Sequence, residues 1–553
     1  MAVLLFGGMG MYKRLTAVFT VIVLMAFCVM SHTLMVALAP AYVQAASSQS
    51  AYNVRVCATR GRIYDRAMRP LAGGRLQYRA VIAPSRETTV RLTGVLPPEK
   101  LLEIEDGLTG TYPFVCSVDD AAADGCGAMV FPGEKRYGPN CVAVHTVGYL
   151  GGDGQGVSGI ERAYDDYLAA AAGELSVRFT VDAAGSGLTG IEPQITDTRD
   201  NSLAGVVLTL DVDIQRAAES AAAEFMDKGA IIVMDARTGE IRACVSVPSF
   251  DQTDVASALD GEDAPLLNRA LSAYDIGSVF KIVVSAAALE SGITPGTKYQ
   301  CEGCVTIGSN RFHCANRSGH GEIDMEEAFA RSCNVYFIEL AKTLGGDVLL
   351  DYARRFGLGD GIELARDYSA AAGCLPDSEK LQMPSALANF SFGQGDLMAT
   401  PMHVAAMTAV IANDGRSVDP TVFARLVNDR QETVEEYIAA PQRQVISRET
   451  ADIISGFMEA AVEYGTAKAG GSDRVSCAAK TGTAETGMIR DGHRVMQAWY
   501  TGYFPAEEPL YVVTVLVEDG QSGGGSAGPV FGYLADVLAP KPVVPSVDAG
   551  EGL

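Results

Sequence analysis

A chain of 553 residues is long enough for one large domain and one or more smaller ones, with ample core. With 48% hydrophobic and 20% charged residues and no extended low-complexity tract, the composition is that of a folded globular protein. The formal net charge of −24, without a basic patch interleaved with aromatics, argues against nucleic acid as a partner and is compatible with an exported domain.

Lys13 and Arg14 precede an apolar run over 15–39 that can cross a bilayer as a helix. Its clearly polar members are Thr16, Thr20, Ser31, His32 and Thr33. No further Lys or Arg occurs before Arg55. The expectation is therefore a short cytoplasmic segment 1–14, a transmembrane anchor 15–39 and everything after it outside the cell membrane. A cleaved signal peptide, with Val43-Gln44-Ala45 as the small-residue site, is the competing reading, but the run exceeds a usual signal core. Residues 40–54 read as a spacer.

Arg60-Gly61-Arg62-Ile63-Tyr64-Asp65-Arg66 reads as a charged turn and the start of a strand. Further on, Gly229–Asp235 is an apolar strand, Ala236-Arg237-Thr238-Gly239-Glu240 a turn, and Ile241–Val245 the returning strand. Gly277 then punctuates the chain before an apolar, alanine-containing run without Gly or Pro, predicted to be a buried helix. Ser278 and Lys281 sit three apart at its start, within side-chain reach of each other. A serine hydroxyl becomes a nucleophile when something takes its proton, and a lysine held neutral by burial and neighbouring charge can do so. Ser-x-x-Lys alone carries little weight, but Ser332-Cys333-Asn334 and Lys480-Thr481-Gly482-Thr483 follow it. None of the six histidines is needed for this chemistry.

Cys301-x-x-Cys304, followed by His313-Cys314 and His320, raises a zinc reading. The second half has the wrong spacing for a standard finger or ribbon, and only three thiols are at hand. A location outside the membrane favours a disulfide, with Cys301 to Cys314 the expected pair, and no metal. Cys333 and Cys477 read as small packing residues.

Ser-x-x-Lys, a Ser-x-Asn triplet and Lys-Thr-Gly, in that order, form the signature of penicillin-binding proteins and serine β-lactamases. The chain resembles the class B, monofunctional penicillin-binding proteins. Arg60–Arg66 is similar to the opening motif of their non-catalytic domain, with Ala67-Met68 where Asn-Gly is usual, which puts the tight turn there in question. His145–Leu150, Gly156–Glu161 and Tyr164–Leu168 resemble that domain's close, and Leu208–Asp211 the entry to the catalytic domain. Ile276 stands where proline is common, which would loosen the turn ahead of Ser278. Phe392-Gly393-Gln394-Gly395, Thr400-Pro401-Met402 and Ser522–Phe531 match structural turns of the family.

The resemblance implies an α+β protein: a single N-terminal transmembrane helix, an elongated β-rich pedestal (dimerisation-type) domain over 55–200, a transpeptidase domain over 205–540 built as an antiparallel sheet flanked by helices, and a tail 541–553. It implies peptidoglycan D,D-transpeptidation, open to inhibition by β-lactams. Ser278 attacks the D-Ala-D-Ala carbonyl, Lys281 accepts its proton, Ser332 relays it, and Asn334 hydrogen-bonds substrate and Lys281. Lys480 supplies positive charge, Thr481 and Thr483 hold the substrate carboxylate, and Gly482 leaves room for a close backbone approach. The backbone N–H groups of Ser278 and Thr483 would form the oxyanion hole. No cofactor is expected. The expected partners are stem peptides, β-lactams and a membrane glycosyltransferase that polymerises glycan, since no such motif appears here. A D,D-carboxypeptidase and a non-catalytic β-lactam sensor or scaffold are the alternatives; an inert scaffold would have lost Lys281, Ser332 or Lys480.

Overall fold

A computed structural model of the chain describes residues 10–39, 50–138, 140–188, 190–199, 203–490 and 492–540. The tail 541–553 and most of the segment 1–14 and of the spacer lie outside the described residues, as do the first residues of the chain. The apolar run forms one helix, Met11–Leu38, with none of its residues buried against protein. At 28 residues it is about 42 Å long, enough for a hydrocarbon core of about 30 Å. Its threonines satisfy themselves: the hydroxyls of Thr16, Thr20 and Thr33 each donate to the carbonyl one turn back, at 2.8 Å.

The chain divides into two compact units that interleave in sequence, residues 1–59, 76–134 and 173–199 in one and 60–75, 135–172 and 200–553 in the other. Beyond its helix, the first unit carries two three-stranded sheets. One orders Ala51–Ala58, Glu174–Thr180 and Gln194–Asp197, and Val54 pairs with Val177 in its buried face. The other places Arg75–Ile82 between Phe114–Val118 and Ala128–Lys135.

Residues 55–200 thus fall in both units, and non-local pairing ties the segment from Arg60 to strands far along the chain. Arg62–Tyr64 runs parallel to Gly205–Leu208 in a sheet completed by Pro70–Ala72, Phe423–Val427 and Thr433–Glu436. The turn at Asp65 forms without Asn-Gly. The Asp65 carboxylate accepts from the N–H groups of Ala67 (2.9 Å) and Arg69 (2.8 Å), and Met68 takes the left-handed backbone at φ 64°. Nearby, the fully buried Glu161 accepts from Arg60 (3.2 Å), Arg136 (2.7 Å) and Tyr137 (2.8 Å).

The core of the second unit is an antiparallel five-stranded sheet in the order Ile241–Val247, Gly229–Asp235, Tyr511–Glu518, His493–Phe504, Ala478–Arg490. The expected hairpin is present, its turn tied by the Asp235 carboxylate to the N–H groups of Arg237 (3.1 Å) and Thr238 (3.0 Å). Side chains alternate across the sheet as a period of two requires. Ile232 and Met234 join the core that holds Lys281–Glu290, Pro401–Ala412 and Arg448–Glu463. Ile231 and Val233 join the core against Val212–Phe225 and Gly528–Leu538. Helices therefore cover both faces, and the helix behind Ser278, buried from Lys281 to Ala288, is sequestered within one of them.

Glu161 is the shared anion of two largely buried arginines, so removing it leaves charge stranded. Glu161→Ala should cost about 3–5 kcal/mol of unfolding free energy, read from urea denaturation of the full chain in detergent. A loss below about 1 kcal/mol would show that water replaces the carboxylate.

Candidate active site

The site is assembled where the edge strand Ala478–Arg490 meets the turn that enters the Lys281 helix. Gly277–Phe280 is a tighter turn than the helix it feeds, and Gly277 holds a left-handed φ of 57° that suits glycine. Ile276, standing where proline is common in the family, is followed by a turn that is tied down. The Gly277 N–H donates to Gly393 O at 2.9 Å, and the buried Trp499 donates its indole N–H to Asp275 O at 2.9 Å. Gly482 makes the contact possible from the strand side, since a Cβ there would stand 2.9 Å from Ile276 O and 3.0 Å from Val279 Cγ1. The room that Gly482 leaves is thus taken by the turn that carries Ser278.

Ser332 is the meeting point. Its backbone is left-handed (φ 54°), an uncommon state for a serine, set between the helices Met325–Ala330 and Asn334–Leu344. Lys281 Nζ donates to Ser332 O (2.8 Å), Ser332 Oγ (3.1 Å) and Asn334 Oδ1 (2.8 Å). From the strand, Lys480 Nζ donates to the same Ser332 Oγ (3.1 Å) and to Thr481 O (2.8 Å). Asn334 is held from its other end by Nδ2 donating to His313 O at 3.1 Å.

Both lysines are fully buried. Burial pushes Lys281 down to about 8. Burial, then the positive charge of Lys281, pushes Lys480 well below the usual lysine range. Two ammonium groups sharing one hydroxyl disfavour double protonation.

Beside the pair lies a cavity of about 520 Å³ reached by Ser278, Ser332, Asn334, Thr481, Gly482 and Thr483. Strand alternation sends Lys480 inward to Ser332 and Thr481 to the opposite face, where its hydroxyl is 2.6 Å from that of Thr466. Thr483 Oγ1 accepts from the Gly523 N–H at 3.2 Å. Ser522–Gly525, Thr466 and the cationic Arg331 and Lys468, none of them in the three short motifs, also line this space. The run of glycines was the one available signal, because a backbone free of side chains can border a ligand closely.

The expected Cys301–Cys314 disulfide does not form; both are free thiols. Their sulfurs turn instead toward His320 and Cys333, and Cys304 points elsewhere, its Sγ accepting from Arg311 at 2.9 Å. Cys333 Sγ lies 3.9 Å from Cys314 Sγ.

Residues 229–536 match the family profile described as the penicillin binding protein transpeptidase domain. The chain belongs to the class B penicillin-binding proteins. It is 32% identical over 431 residues to the peptidoglycan D,D-transpeptidase PbpA of Mycolicibacterium smegmatis, covering 72% of this chain and 82% of that one. It is 32% identical over 410 residues to the stage V sporulation protein D of Bacillus subtilis, covering 70% and 61%, so the chain spans about three-fifths of that relative's length. Among solved structures it is similar to penicillin-binding protein A of M. tuberculosis in its ceftriaxone acyl-enzyme complex, with 29% identity, a TM-score of 0.56, and coverage of 61% of this chain and 80% of that one. This class B penicillin-binding protein has the α+β fold of the family, with an antiparallel sheet between helices.

Proposed function

We propose that this protein is a serine-type peptidoglycan D,D-transpeptidase, acylated by stem peptides ending in D-Ala-D-Ala and by β-lactams. The observation that carries the reading is the convergence of Lys281 and Lys480 on Ser332 Oγ beside the cavity that Ser278 lines.

Neutral Lys281 takes the Ser278 hydroxyl proton as Oγ adds to the penultimate D-Ala carbonyl. The oxyanion is held by the N–H groups of Ser278 and Thr483. The proton passes through Ser332 to the departing amine, so the C–N bond breaks and free D-Ala leaves. Asn334 aligns the peptide, Thr481 and Thr483 bind the terminal carboxylate, and Arg331 and Lys468 favour an anion at the cavity mouth. An amine of a second stem then attacks the ester; its proton returns by the same relay, an amide forms, and Ser278 is regenerated. Gly482 serves by letting the turn and strand close together.

Lys13 and Arg14 ahead of the apolar helix support a single-pass anchor with the catalytic unit on the extracytoplasmic side. Such a chain draws its substrate from a membrane glycosyltransferase, the partner that the resemblance implies. The resemblance also supports a pedestal role for the first unit and for the segments around 60–75 and 135–172.

Exposing the full chain to benzylpenicillin should give one covalent adduct by intact mass, absent in Ser278→Ala; a single adduct retained in that variant would remove Ser278 from the nucleophile's role. The acylation rate should rise about tenfold per pH unit below about 8 and level off above it, because only the neutral amine of Lys281 accepts a proton. Stopped-flow acylation between pH 6 and 10 reads this profile; a rate that falls as pH rises would exclude a neutral-lysine base.

A further inference from the structure

Four side chains outside the reacting groups turn their donor atoms to one point. Cys301, Cys314, His320 and Cys333 place three sulfurs and an imidazole nitrogen all within 4.8 Å of one another. His320 Nδ1 is 3.6 Å from Cys301 Sγ and 3.5 Å from Cys314 Sγ, and the sulfurs of Cys314 and Cys333 are 3.9 Å apart. A tetrahedral zinc with Zn–S of about 2.3 Å and Zn–N of about 2.0–2.1 Å sets its sulfurs about 3.8 Å apart and sulfur and nitrogen about 3.6 Å apart. The observed spacings fit that figure. They do not fit a disulfide, which needs about 2.05 Å and would strand a third thiol beside an imidazole.

We propose that Cys301, Cys314, His320 and Cys333 bind one zinc ion as a closed structural site. The donor set is soft, matching zinc over calcium or magnesium, and it is complete at four, leaving no open position for a catalytic water. The three sulfurs are shielded, with Cys301, Cys314 and Cys333 exposed by 2%, 1% and 0%, which suits a site that must keep thiolates from oxidising outside the membrane. On binding, each thiol gives up its proton and its sulfur lone pair forms the metal bond; no oxidant or reductant is required.

The backbone holds the donors in place beforehand. Cys314 N–H donates to Gly303 O at 2.9 Å, His320 N–H to Cys301 O at 3.0 Å, and Cys333 N–H to Ala328 O at 2.8 Å. Cys333 Sγ also accepts from the Tyr336 N–H at 3.5 Å, capping the helix that Asn334 opens. Second-sphere bonds of this kind orient metal ligands. The site sits directly under the machinery: Cys333 lies between Ser332 and Asn334, and the carbonyl of His313, next to Cys314, receives the Asn334 amide. The ion therefore braces the loop that keeps Ser332 in its left-handed state.

The test is the metal content of the full-length chain, purified in detergent with zinc and then desalted, together with the visible spectrum after replacement by cobalt. The expected result is about one zinc per chain and a thiolate-to-cobalt charge-transfer band with tetrahedral d–d bands. Cys301→Ser, Cys314→Ser, His320→Ala and Cys333→Ser should each weaken zinc binding at least tenfold, and Cys304→Ser should not. Folded wild type without zinc or a thiolate–cobalt band would overturn the proposal. So would a Cys301–Cys314 disulfide in a non-reduced peptide map, or a Cys304→Ser loss equal to the others. If a ligand variant fails to fold, the wild-type stoichiometry and cobalt spectrum decide. Neither readout depends on acylation, so the result stands apart from the transpeptidase reading.

Discussion

Two lysines buried within reach of one serine hydroxyl impose the condition that the catalytic unit is built to meet. An ammonium group removed from water is costly, and two side by side more so. Lys281 and Lys480 have neutral oxygen acceptors: Ser332 O and Oγ, Asn334 Oδ1 and Thr481 O. No carboxylate is among these hydrogen-bond acceptors. Burial therefore lowers the proton affinity of both amines, the direction that a general base requires and that a stable ion pair would oppose.

Much of the surrounding structure fixes the approach of helix and strand that creates this state. The edge strand brings Lys480 to Ser332 because Gly482 lets the Ser278 turn lie against it. Trp499, paired with Gly482 on the next strand, secures Asp275, and Gly393 secures Gly277. On the far side, the left-handed Ser332 aims both its carbonyl and its hydroxyl at Lys281. The thiol–imidazole cluster that includes Cys333 adjoins that loop, and the proposed zinc would give it a second fixed point. Each element is modest alone, but together they hold three stretches of chain far apart in sequence around one oxygen.

What could be read from the sequence was whatever is local. The hairpin at 229–247, the buried helix after Ser278 and the apolar N-terminal helix follow from periodicity and turn residues over short windows. The three short motifs could be placed in one pocket because their order carried a resemblance, and the structure does bring Ser278, Lys281, Ser332, Asn334 and Lys480 together. Non-local pairing was hidden. Nothing around Arg62–Tyr64 announces a parallel partner at Gly205–Leu208, so the interleaving of the two units could not be seen. Cys301-x-x-Cys304 raised a zinc reading with Cys304 in it, yet Cys304 points to Arg311 and the third clustered thiol comes from within the Ser332-Cys333-Asn334 motif. Met68 shows the same limit in a turn: a side-chain carboxylate two to four residues away stabilises what the missing Asn-Gly would have provided.

Transpeptidation requires an acyl-enzyme resolved by an amine. The most direct measurement supplies the full-length chain with a stem pentapeptide ending in D-Ala-D-Ala and an amine-bearing acceptor stem, then separates the products by mass. The expected product is a cross-linked dimer formed with release of one D-Ala, dependent on Ser278. Release of D-Ala with only the hydrolysed tetrapeptide and no dimer would contradict it and identify water as the acceptor.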